Sequence, residues 1–254
     1  MVITDSVADF QMGRVLSRTF GVLSRNLATF LIVAAVIMIP VIAINFYVGT
    51  PNYFLAGRAK GVAFGVLAAI IPMVCTYLLQ AALVQSTITD LNGERPDLGR
   101  ALSAGFSLLI PVTVIALLGV LGMMLGTILL VVPGIILAVG WSVAVPVKVV
   151  ERTSIKDSFG RSWELTRGYR WKIFGLIVIY FLVIVLLAIA VNVISRVSFM
   201  QGGTVLNNTP YIVLQWLDSV ILGVLTAIGG TATYYELRTV KEGMAPQELA
   251  AAFD

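Results

Sequence analysis

The chain has 254 residues and a formal net charge of +4; 59% of its residues are hydrophobic and only 12% are charged, against roughly a quarter charged in an average soluble domain. So few solvating groups cannot cover a soluble surface, and apolar runs of about 20 residues, each a bilayer's thickness, recur along the chain. The absence of histidine excludes histidine-ligated haem, histidine-containing zinc sites, the serine–histidine–aspartate arrangement and histidine proton relays. The lone Cys75 excludes an intrachain disulfide and any CxxC redox or metal motif.

In chain order the apolar stretches fall at 27–48, 62–86, 106–130, 133–150, 173–195 and 211–235. Each is free of charge over most of its length except the last, which contains Asp218, with Lys148 near the end of the fourth. They predict an all-α, polytopic membrane helix bundle of six transmembrane helices, a single integral membrane domain over 1–254. The polar arm before the first stretch holds Asp5 and Asp9 and fits a retained helix better than a cleaved signal peptide. The third and fourth stretches are parted only by Val131, Val132, Pro133 and Gly134, a Pro-Gly punctuation that predicts a hairpin with almost no loop.

Fourteen of the 17 lysines and arginines lie in the N-terminal arm, the 87–105 and 148–172 connections and the tail; only Arg58, Lys60 and Arg196 lie on the other side. The positive-inside rule then expects both termini in the cytoplasm.

Three of the polar segments share a short pattern: Leu16-Ser17-Arg18-Thr19-Phe20, Leu98-Gly99-Arg100-Ala101-Leu102 and Phe159-Gly160-Arg161-Ser162-Trp163. At helical spacing, Met12, Val15, Leu16, Phe20, Leu23 and Leu27 form one apolar face. Leu98, Leu102, Phe106 and Leu109 form a second, and Ile155, Phe159, Trp163 and Thr166 a third. Each face predicts an amphipathic interfacial helix ahead of a pair of spans, a threefold internal repeat with units 10–90, 91–152 and 153–240.

The stretch Ser158-Phe159-Gly160-Arg161-Ser162-Trp163-Glu164-Leu165-Thr166-Arg167-Gly168-Tyr169-Arg170-Trp171-Lys172 and the Val132-Pro133-Gly134-Ile135-Ile136 turn resemble one family. It is the membrane domain attached to some bacterial glycerophosphodiester phosphodiesterases, together with the stand-alone six-span proteins related to it. The resemblance implies a bacterial plasma (inner) membrane and a link to lipid metabolism. The family's hydrolase is a separate soluble barrel that uses acidic residues, histidines and a metal, so no catalytic residue carries over to this chain.

Arg14, Arg18, Arg25, Arg100, Arg161, Arg167, Arg170 and Lys172 are candidates for anionic lipid headgroups, because basic residues interleaved with Trp163, Tyr169 and Trp171 beside spans suit a membrane interface rather than nucleic acid. Arg196 and Asp218 are expected at similar depth on adjacent spans, as an intramembrane or interfacial ion pair that relieves two otherwise lone charges. Gly61/Gly65 and Gly122/Gly126 suit close helix packing, and Pro40, Pro72, Pro111 and Pro146 lie in or near spans. No catalytic, cofactor or metal set is visible. The expectation is a non-enzymatic, lipid-binding inner-membrane protein with anionic lipids, and a membrane protein, as partners and an envelope or lipid-related assembly role. The alternative is a transporter or lipid-moving protein with a cavity between repeat units. Reporter fusions after Val48 and Phe199 should read outside, and fusions after Asp90, Glu151 and Asp254 inside; a cytoplasmic readout at Phe199 removes the six-span topology.

Overall fold

The computed structural model describes residues 9–48, 57–200 and 209–243, with side chains for 9–47, 64–97, 99–194 and 212–243. Every regular element among them is a helix: α1 (Met12–Ile37), α2 (Ile39–Val48), α3 (Gly57–Leu91), α4 (Leu98–Leu129), α5 (Val131–Gly140), α6 (Ala144–Glu151), α7 (Ile155–Thr166), α8 (Arg170–Met200) and α9 (Thr209–Glu242). Six segments are long and apolar enough to cross a membrane: Met12–Ile37, Phe64–Leu91, Gly99–Leu129, Val131–Glu151, Arg170–Ile194 and Ile212–Glu242. The chain is a multi-pass membrane protein. The α4–α5 hairpin turns on Leu130 alone, in extended conformation between the two helices.

Local chemistry sets the ends. Asp97 caps α4 by accepting the Arg100 backbone N–H at 2.9 Å, and Ser154 caps α7 by accepting that of Asp157 at 3.1 Å, each satisfying an orphan first-turn donor. Past the ends of α3 and α7 the chain reverses through Gly93 (φ +87°) and Gly168 (φ +94°), a conformation that costs glycine nothing.

Two of the predicted spans are broken. The first stops at Met38 (φ −88°, ψ 1°), two residues before Pro40, whose ring cannot donate to the helix ladder. The indole Nε1 of Trp216 on α9 donates to the Met38 carbonyl at 2.9 Å. The fourth breaks over Trp141–Val143, between α5 and α6, and there the Gly140 carbonyl accepts Ser162 Oγ at 2.8 Å and Thr166 Oγ1 at 3.4 Å from α7. The Met38 carbonyl also accepts the backbone N–H groups of Val41 and Ile42; backbone groups freed inside a bilayer have to find protein partners, and for Gly140 α7 supplies them. Pro72 and Pro111, by contrast, lie inside continuous helices.

α9 is the centre of the bundle, touching α1, α2, α3, α6, α7 and α8. All its residues from Thr231 to Leu237 are buried, and the run Thr226-Ala227-Ile228-Gly229-Gly230-Thr231-Ala232-Thr233 keeps side chains small enough for neighbours to approach. The far part of α8 and the α4–α5 hairpin face outward, with Leu186, Leu125, Ile128 and Leu129 all exposed.

The three apolar faces divide between protein and the outside: Val15 and Thr166 are buried and Leu16, Leu23, Leu102 and Leu109 lie against the core, while Phe20 and Phe106 look outward. On α1 the buried residues are Val15, Thr19 and Val22, and on α7 they are Ser158, Ser162, Leu165 and Thr166. In each copy of the short pattern the small residue after the arginine is inside, Thr19 at 1%, Ala101 at 2% and Ser162 at 0% exposure, while Phe20 and Phe106 are exposed at 60% and 68%. Where lipid covers the outside, large apolar side chains gain nothing by turning inward, and small ones allow helices to close up. The stretch expected as a separate interfacial helix, 12–25, is set off from the rest of the first span by a kink at Asn26 (φ −120°, ψ 16°).

Glycines complete the packing. Gly122 lies against the Trp141 ring and Gly126 against Gly134, so this pair packs within the chain; the side-chain surroundings of Gly61 lie outside the described residues. Gly140 lies against one side of the Trp163 ring, and the Arg170 guanidinium carbon stacks on the same ring at 3.9 Å from its centroid. Gly140→Ala would drive a methyl group into a ring already held by its neighbours. It should destabilise the protein by about 1–3 kcal/mol, read as a lowered melting temperature of the detergent-solubilised chain.

Candidate functional site

The polar end of the bundle holds two clusters of ion pairs, both built on the last turns of α9. In the first, the Glu236 side chain is 1% exposed and faces two arginines of α1. Arg14 Nε donates to Oε1 at 2.6 Å, and Arg18 Nη1 donates to Oε2. Arg14 also donates to the Asp9 carbonyl at 2.5 Å, and Arg18 lies 4.9 Å over the Tyr235 ring. One turn further along α1, Thr19 Oγ1 meets the Tyr180 hydroxyl at 3.2 Å, joining α8 to the same cluster.

In the second site, Glu151 at the end of α6 accepts the Tyr234 hydroxyl at 2.9 Å and Arg161 Nε at 3.3 Å. Arg161 also pairs with Glu242, and Arg238 joins Glu242 at 2.8 Å and the Tyr234 hydroxyl at 3.2 Å. One carboxylate from each of α6 and α9 is therefore bridged by an arginine of α7.

Two smaller clasps flank these. Asp90 accepts Arg25 Nη2 and Asn26 Nδ2, both at 2.6 Å, which ties the bend in α1 to the end of α3. Lys172 Nζ meets Asp9 at 2.5 Å and the Phe10 carbonyl at 3.0 Å. The Lys172 ammonium holds the Asp9 carboxyl below its ordinary value, so this clasp stays charged through neutral pH and is lost only on strong acidification, as the carboxyl protonates.

Of the eight cations expected at lipid headgroups, Arg14, Arg18, Arg25, Arg161 and Lys172 are thus held by carboxylates of the chain. Arg170 stacks on Trp163, with its Nε buried and unbonded, and Arg100 and Arg167 are exposed. The Arg196 side chain lies outside the described residues. Asp218 is half-buried and has no hydrogen bond or ion pair among the described residues, and Asn192 donates to the Ala188 carbonyl at 2.7 Å. Among the described residues no three His, Cys, Asp or Glu side chains converge as a metal site.

Glu236 went unnoticed in the sequence because it sits among polar residues after an apolar run. The small-residue run just before it is the signal that its helix is enclosed on all sides.

A cleft opens where the fourth span breaks. It has a volume of about 310 Å³ and lies between the α5–α6 break, α8 and α9, lined among others by Ser142, Leu176, Tyr180, Thr226 and Gly230. A smaller space of about 90 Å³ shares Ser142, Thr226 and Gly230 with it and reaches Gln80. No charged side chain lines either space.

Glu236→Gln would leave Arg14 and Arg18 facing a neutral amide. Losing one partner of a buried pair costs about 3–5 kcal/mol, and the effect should be strongly non-additive with Arg14→Gln in a double-mutant cycle of thermal stability.

A family model described as Domain of unknown function (DUF7847) matches residues 98–237. No curated protein and no solved structure matches the chain.

Proposed function

The chain belongs to the DUF7847 family, a domain of unknown function, and from that footing we propose that it is a non-enzymatic, lipid-holding protein of the bacterial plasma (inner) membrane, with both termini cytoplasmic. The observation that carries this reading is the cleft beside the broken fourth span. Its size is at the lower end of ligand pockets, about 300–1,000 Å³, and its lining is aliphatic with hydroxyls at Ser142, Tyr180 and Thr226. Neither Thr226 nor Gln80 makes a side-chain hydrogen bond among the described residues, so both are free to meet an ester or amide of an otherwise apolar occupant. A lipid chain suits this chemistry better than an ion or a sugar, which would need charged or densely polar walls.

A lipid-moving role is the nearer of the two expectations to this geometry, since a packed centre would leave no such space. A purely structural role in an envelope assembly is served by the same cleft if the lipid stays bound. The non-enzymatic reading is supported by the absence of histidine and by the engagement of Glu151, Glu236 and Glu242 in ion pairs. The stretch resembling the phosphodiesterase-linked membrane domain falls within the matched region, and a place beside lipid metabolism is part of the proposal.

Gly230 is the place to test it. A Cβ there meets nothing closer than Pro146 at 4.0 Å, so Gly230→Phe should fold and fill the cleft. Displacing two lipid methylenes at about 0.8 kcal/mol each corresponds to roughly tenfold weaker binding. Native mass spectrometry of the full chain in mild detergent should show lipid retained by the wild type and largely lost from the variant. Equal retention by a folded Gly230→Phe would sink the reading.

A further inference from the structure

We propose that the chain carries a second, polar site, for a phosphate-bearing anion, in the hollow between Arg100 and Arg152. It stands apart from the lipid reading of the cleft. The hollow has a volume of about 500 Å³ and lies between the end of α3, the first turns of α4 and the link after α6, with Gln85, Asp97, Arg100, Ser103, Ser107 and Arg152 on its walls.

Arg100 is the middle of the three arginines that share the short pattern, and it is the exception. Arg18 is met by Glu236, and Arg161 by Glu151 and Glu242. Neither Arg100 nor Arg152 has a carboxylate partner among the described residues, and both are exposed. Asp97, the one acid on the wall, is occupied as the cap of α4. Two guanidiniums therefore share a concave surface with a single carboxylate that is turned to the α4 N-terminus, which leaves the hollow net positive.

The backbone holds Arg152 there. It closes α6 in the left-handed region, at φ +50° and ψ 24°, and is the one non-glycine residue with positive φ among those described. For an L-residue that costs roughly 1–2 kcal/mol, a cost glycine would avoid. The adjacent Glu151 turns to Tyr234 and Arg161 instead, so the turn sends successive charges to different partners.

The donors specify the ligand. Arginine forks match phosphate oxygens in pairs, and the Gln85 and Ser103 side chains make no hydrogen bond among the described residues; Ser107 already donates to the Ala104 carbonyl at 3.1 Å. Two forks and two neutral donors suit a tetrahedral oxyanion with several acceptor oxygens. A phosphate monoester or diester meets that description, whether it comes as a lipid headgroup or as a free solute.

The test titrates the detergent-solubilised full chain with inorganic phosphate and, separately, with dihexanoyl phosphatidic acid, following intrinsic fluorescence and melting temperature. Saturable binding is expected. Arg100→Gln and Arg152→Gln should each weaken it about tenfold, the loss of one charge-assisted contact, and Lys156→Gln, exposed outside the hollow, should leave it unchanged. Arg152→Gly separates binding from folding, because it should raise the ligand-free melting temperature while still losing affinity. A similar response to both probes assigns a soluble anion, and a response dominated by the lipid assigns a headgroup. Absence of binding by either probe, or wild-type affinity in the Arg100→Gln/Arg152→Gln double variant, overturns the proposal.

Discussion

A carboxylate enclosed near the end of an otherwise apolar helix has to be neutralised by the chain itself, and Glu236 makes that demand on α1. Burying an unpaired ionised carboxylate costs several kcal/mol after relaxation, so the helix that carries it is stable only when Arg14 and Arg18 are in place. That requirement fixes the rotation of α1 about its axis. With the two arginines turned inward, Val15, Thr19 and Val22 become the packed residues, Thr19 reaches Tyr180 on α8, and Arg25 and Asn26 arrive at Asp90 on α3. One ion triad between α1 and α9 thus sets how two further helices dock.

The same economy governs the broken spans. A helix crossing lipid cannot leave carbonyls unsatisfied, yet this chain interrupts its first and fourth spans and still accounts for the exposed groups. The Met38 carbonyl is met by the local N–H groups of Val41 and Ile42 as well as by Trp216, and the Gly140 carbonyl by the hydroxyls of α7. α7 therefore has a structural duty of its own: its Ser-Thr face caps another helix. The cleft beside Ser142 is a by-product of that break, since a continuous helix would pass through the space.

The number and order of the spans were legible because charge-free length is a property of the sequence in one dimension. The α4–α5 hairpin was legible for the same reason, Pro133 and Gly134 leaving no room for a loop. The packed faces were not. An apolar stripe at helical spacing says which residues avoid water but not which of them meet protein, and here Phe20 and Phe106 face outward while Thr19, Ala101 and Ser162 go in. The fates of the basic residues were illegible too. Arg18, Arg100 and Arg161 look alike in their local pattern, and only the fold decides which meet a glutamate and which do not.

The pairing of Arg14 and Arg18 with Glu236 spans 222 and 218 residues, nearly the full length of the chain, and this has a consequence for biogenesis. At the usual pace of translation, roughly 10–40 s separate the emergence of α1 from that of its acidic partner. During that interval two guanidiniums are already at the membrane with no carboxylate to meet. Until Glu236 emerges nothing of this triad can fix the rotation of the first helix, so closure of the bundle waits on its last helix and the two ends of the chain become ordered together.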